Sequence, residues 1–107
     1  MTTFNDRERA EEAKFALDEN TTFRIAARRN RLLGGWAAKL MNLTPEETES
    51  YEKAVVQADF EEAGDEDVIR EVLGDLIQAG CDVDEATVRT QLAEKAVEAR
   101  RQLMSES

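Results

Sequence analysis

From Phe23 to Leu103, apolar residues recur every three or four positions, interrupted only by short clusters of turn-forming residues. Over 23–43, Phe23, Ala26, Ala27, Leu33, Ala37 and Leu40 trace one helical stripe and Ile25, Leu32, Trp36 and Leu43 an adjacent one, together wide enough to meet two neighbours. Gly34-Gly35 in mid-helix costs about 1 kcal/mol per glycine relative to alanine, so the pair implies either a bend or, the preferred account, close approach of another backbone beside Trp36. Thr44-Pro45-Glu46-Glu47 spells a helix start, with Thr44 as N-cap, proline in the first turn and Glu47 completing a capping box. A second helix then runs to about Ala63, turns Tyr51, Val55, Ala58 and the row Val56, Phe60, Ala63 inward, and stops at Gly64. Asp65 is the expected cap of a third helix over about 66–79, which carries Ile69, Val72, Leu73, Leu76 and Ile77. Gly80 closes it, and Asp82 or Asp84 caps a fourth of about 85–103 whose stripe is Val88, Leu92, Ala96, Ala99 and Leu103, with Val97 beside it. Connections of two to four residues make successive helices antiparallel. The pattern predicts an all-α chain, an up-down four-helix bundle over 20–104.

The first nineteen residues, MTTFNDRERAEEAKFALDE, break this pattern. They hold six acids against three bases, and past Met1 the only large apolar residues are Phe4, Phe15 and Leu17. Alanine, glutamate, arginine and lysine favour a helix, but such a helix has little to bury against its own core. Wound helically, it sets Arg9, Ala10, Ala13, Ala16 and Leu17 on one narrow stripe with Asp6, and Phe15 to the side. Arg7 with Glu11, and Glu11 with Lys14, add pairs worth a few tenths of a kcal/mol each at about one-turn spacing. Residues 1–19 therefore read as a mobile arm suited to a groove on a partner.

The blocks MTTFNDRERAEEAKFA, ARRNRLLGGWAAKLMNL and VQADFEEAGDEDV occur here in order, and with them the chain resembles the zeta-type inhibitor subunit of the F-type ATP synthase of alphaproteobacteria. The similarity runs from Met1 to about Gly80 and more weakly to the end. The resemblance implies a four-helix bundle whose mobile N-terminal arm inserts between catalytic and non-catalytic subunits of the ATPase head and blocks rotation in the hydrolytic direction. It assigns the inhibitory element to Met1 through about Glu19, with Phe4, Arg7, Arg9, Ala10, Ala13 and Phe15 matching the family pattern. Leu17 stands where relatives often carry histidine, and Asn20-Thr21-Thr22 replaces a more acidic, helix-favouring stretch. Asparagine and threonine are weaker helix formers, so a hinge between arm and bundle is expected at 20–22. Phe4, Phe15 and Leu17 are too few to hold the arm by themselves, so the partner must engulf it or the arm must be partly helical beforehand. The implied protein is cytoplasmic, monomeric when free, and peripheral to the inner membrane when bound to the catalytic head of the synthase.

Charge and composition narrow the function further. Net charge is −10, which argues against nucleic acid or an anionic membrane surface as main partner. The charge is partitioned: 1–19 sum to −3, 20–45 to +5 and 46–107 to −12, as if three acidic helices embraced one basic helix. No apolar run approaches the roughly 20 residues of a membrane span, and no signal-peptide core appears. Cys81 is the single cysteine, so no internal disulfide can form and the thiol reads as idle. With no histidine, phosphate-cradling glycine loop, nucleophile elbow or Cys/His cluster, the chain is not expected to be an enzyme or to carry a cofactor. The acids Asp59, Glu61, Glu62, Asp65, Glu66 and Asp67 lack the spacing of a calcium loop and read as helix-end residues rather than a metal site. Arg24, Arg28 and Arg31 share a helical strip free of acids, with Arg29 to the side. They suit the neighbouring acidic helices, an acidic partner surface or a phosphate, and the resemblance adds a weak adenine nucleotide as candidate ligand. The leading function is thus an intrinsic ATPase inhibitor that acts through its arm. The alternatives are a helical bundle that binds an anionic ligand, or a generic adaptor.

Overall fold

The computed structural model describes residues 19–61 and 64–106, with the side chains of Asp59, Phe60 and Glu61 left aside. It contains four helices: α1 (Glu19–Leu40), α2 (Pro45–Glu61), α3 (Asp65–Gln78) and α4 (Glu85–Glu106). Each stripe read from the sequence supplies the core. Leu33 and Ala37 of α1, Val55 of α2, Val68, Ile69, Val72 and Leu76 of α3, and Val88 and Leu92 of α4 form one buried cluster. Trp36, Tyr51 and Leu73 pack against it, half-buried. The basic helix α1 touches all three others, lying between α2 and α4 and reaching α3 across the bundle.

Local chemistry sets the helix ends. The Thr44 hydroxyl accepts from the Glu47 amide at 3.1 Å and the Glu47 carboxylate accepts from the Thr44 amide at 2.9 Å, the reciprocal capping box. These bonds hold the Glu47 carboxyl below its ordinary range, the Thr44 backbone amide foremost. Asp84 starts α4, accepting from the Thr87 amide at 2.9 Å and the Thr87 hydroxyl at 2.6 Å. At the end of α3 the Cys81 amide donates to Leu76 and the Gly80 amide to Ile77, with Gly80 at φ 85°, a Schellman closure.

Several expectations are corrected. Helix α1 begins at Glu19 and passes through Asn20, Thr21 and Thr22 without a break, so the hinge expected at 20–22 is absent from the helix. Weak propensity at three positions is outweighed by the turns that follow them. At its other end α1 stops at Leu40 instead of residue 43. Asn42 takes φ 62°, the Leu43 amide donates to Ala38 and the Asn42 amide to Lys39, a second Schellman closure with asparagine in place of glycine. The cap of α3 is Gly64 and no side chain bonds its first amides; Asp65 is turned instead to Arg29, 3.0 Å away. Helix α3 ends at Gln78, so six residues, 79–84, join it to α4 in place of the expected four or fewer.

Four residues placed on apolar stripes or beside them lie open: Phe23, Leu40, Ile77 and Val97 are 49%, 46%, 59% and 58% exposed. Phe23 lies in the first turns of α1 at the lip of a cleft. Leu40 and Ile77 sit in final turns. The expected inward positions Phe60 and Ala63, and all of residues 1–18, lie outside what is described.

Candidate functional site

The strip of arginines on α1 faces a cleft bounded by α1, α2 and the end of α4. Arg24, Arg28 and Arg31 all line it, together with Phe23, Ala27, Glu49, Glu52, Lys53, Val56, Gln57 and Leu103, around a volume of about 690 Å³. Three-and-four spacing on one continuous helix is what brings the three guanidiniums to one side. The floor is apolar and the rim is charged.

Each arginine of α1 is matched to an acid on a neighbouring helix. Arg28 donates to Glu106 at 2.5 Å and Arg24 lies 3.7 Å from the same carboxylate, which these contacts, the Arg28 hydrogen bond foremost, hold below its ordinary range. Arg31 is 3.9 Å from Glu52 of α2 and 68% exposed. Arg29, read from the sequence as lying to the side, is the most enclosed of the four: its side chain is 14% exposed, pairs with Asp65 of α3 at 3.0 Å, and donates through Nε to Asn30 Oδ1 at 3.1 Å. Asn30, not singled out from the sequence, is fully buried at the centre of α1 with its Nδ2 lacking a hydrogen-bond partner among the described residues. The pairs reach α2, α3 and α4, so the charge partition is realised as one basic helix held by three acidic ones.

The acids at the start of α3 are likewise engaged by arginine. Glu66 forms a two-pronged bond with Arg89 of α4 at 2.6 and 2.9 Å, and Asp67 accepts from Arg70 at 3.3 Å. Among the described residues no group of three or more histidine, cysteine or acidic side chains is arranged to hold a metal ion. None of their helices is long and apolar enough to cross a membrane. Cys81 is half-buried and its thiol donates to the Leu40 carbonyl at 3.4 Å, bracing the end of α1. The remaining candidates, Phe4, Arg7, Arg9, Ala10, Ala13, Phe15 and Leu17, lie outside the described residues.

Comparison with known proteins adds the deciding observation. The family model described as ATPase inhibitor subunit zeta matches residues 1–102, both the leading segment and nearly all of the bundle. The chain belongs to this family. Zeta subunits are regulatory inhibitors rather than enzymes, and an inhibitory role toward an ATPase follows for this member. Among solved structures, a protein determined by NMR in solution is 45% identical, with a TM-score of 0.70, over 79% of this chain and 96% of that one. No curated protein matches. The zeta match ends at residue 102, so Glu106, the carboxylate that holds Arg24 and Arg28, lies beyond the part shared with the family model.

Proposed function

We propose that this zeta subunit inhibits ATP hydrolysis by inserting residues 1–19 at a subunit interface of the F-type ATPase head, while the bundle stays outside as an anchor. The observation that supports this is where the core begins. Among the described residues no side chain before Asn30 is buried, while the family match starts at residue 1. We read the segment that the family pattern includes ahead of the first buried side chain as the part that meets a partner. Phe4, Phe15 and Leu17 supply its anchors, Ala10 and Ala13 let neighbouring helices approach closely, and Arg7 and Arg9 offer cations to acidic residues of the head. Bound there, the protein is peripheral to the membrane that carries the synthase.

The test is a split between function and fold. Phe15→Ala should weaken inhibition of ATP hydrolysis by tenfold or more, about 1.4 kcal/mol or above, and leave the melting temperature of the free protein unchanged. Equal loss of both would place Phe15 in the core.

A second reading is favoured by the convergence of Arg24, Arg28 and Arg31 on one cleft of about 690 Å³. An adenine nucleotide could seat its phosphates there after displacing Glu106. Titration with ATP should then shift the backbone amides of residues 24–31, and constant shifts would end this reading.

A further inference from the structure

We infer that the cleft between α1, α2 and α4 is the surface by which the bundle docks on an acidic, partly apolar surface of the ATPase head, beside the place where the arm enters. This rests on the inhibitor reading and adds to it which face of the bundle meets the partner. Phe23, at the mouth of the cleft, lies four residues after Glu19 on a continuous helix, about 6 Å along its axis, so whatever engulfs the arm is brought against this face.

The chain carries −10, yet four cations and two acids line this cleft. Three of its four cations are held loosely: Arg24 is 3.7 Å from Glu106, Arg31 is 3.9 Å from Glu52, and Lys53, 77% exposed, is 3.4 Å from Glu49, whereas Arg28 bonds Glu106 closely at 2.5 Å. Long, solvent-screened pairs of this kind contribute little to the fold and exchange readily for a carboxylate on another protein. Arg29, tied to Asp65 at 3.0 Å and nearly enclosed, shows by contrast what a structural arginine looks like in the same helix.

Phe23 is 49% exposed and stands over Ala27, Val56 and Leu103, so an aromatic lip borders an apolar floor within a cationic rim. Interface cores favour that combination of a large aromatic and arginine. Linked to the arm, even a weak contact here raises overall affinity by making the second binding event intramolecular.

The test uses the full chain. Arg31→Gln with Lys53→Gln removes two exposed cations from the rim, and Arg70→Gln on α3, 78% exposed, serves as the control away from the cleft. Binding to isolated ATPase head is measured by calorimetry, and inhibition is read at saturating protein. The double variant should bind about fivefold to tenfold more weakly, with a shallower salt dependence, while maximal inhibition is unchanged and Arg70→Gln binds as the parent does. Parental affinity in the double variant overturns the proposal, as does an equal loss in the control. Loss of ATP-induced amide shifts with head affinity intact would assign the cleft to a small anion and overturn it too. If the parent chain fails to bind the head at all, the inhibitor reading falls with it; if the parent binds and only the rim variants are silent, the docking face alone is refuted.

Discussion

At the scale of the residue, the glycine pair in α1 shows how a conformational cost marks a contact. A Cβ on Gly34 would lie 3.1 Å from the Cα of Glu52, the backbone of α2. A Cβ on Gly35 would meet only the tip of the Glu52 carboxylate at 2.9 Å. Backbone cannot step aside and a carboxylate can. Gly34→Ala should therefore destabilise the bundle by about 1–3 kcal/mol, whereas Gly35→Ala should be neutral or stabilising by up to about 1 kcal/mol, as chemical denaturation followed by the single tryptophan would show. Equal effects would mean that α1 and α2 are not in this register. The need for a close approach was legible in the sequence because glycine in mid-helix is expensive. Which of the two glycines meets backbone was not, since that depends on the rotation of α1 against α2. Arg29 and Asn30 escaped for the same reason: periodicity puts them near the buried edge, but only packing decides that one is enclosed and the other sealed.

At the scale of the element, starts were more legible than ends. The Thr44–Glu47 box and the Asp84 cap are made by side chains within three residues of the helices that they start, so the spelling carries the geometry. The end of α1 turns on Asn42 at φ 62°, which asparagine tolerates without advertising, and the chain reads on to Leu43 as if helical. Between elements, the Tyr51 hydroxyl donates to Asp75 at 2.8 Å and ties α2 to α3. Burial first, then the Asp75 carboxylate, pushes the phenol of Tyr51 well above its ordinary range. A folded-state pKa raised above the unfolded one contributes stability that is complete below about pH 10 and lost as pH rises beyond it. Tyr51 is the only tyrosine, so ultraviolet absorbance reads this one group. Tyrosinate should be absent at pH 10–11 in the folded protein and appear together with loss of helical circular dichroism. Ionisation near pH 10 with the helices intact would show that the bond to Asp75 is open.

At the scale of the whole molecule, the sequence announced four amphipathic helices and one basic helix among three acidic ones, and the structure bears out both. Its ion pairs run from Arg24 and Arg28 to α4, from Arg29 to α3 and from Arg31 to α2. The cleft was less legible. The shared strip of Arg24, Arg28 and Arg31 could be read from spacing, but Phe23 reads as core and only the fold places it at the lip of the cleft. Nor could Glu106 be matched to those arginines from the sequence, because 78 residues separate it from Arg28. A bundle whose buried residues begin, among the described ones, at Asn30, and a leading segment that holds Phe4, Phe15 and Leu17, are the two parts of the proposed inhibitor.

This division is tested most directly by removing residues 1–18 and assaying ATP hydrolysis by the isolated ATPase head, with circular dichroism on the same sample. The truncated protein should keep its helical signal and cooperative melt yet leave hydrolysis uninhibited at concentrations where the full chain blocks it. Undiminished inhibition by the folded, truncated bundle would contradict the account.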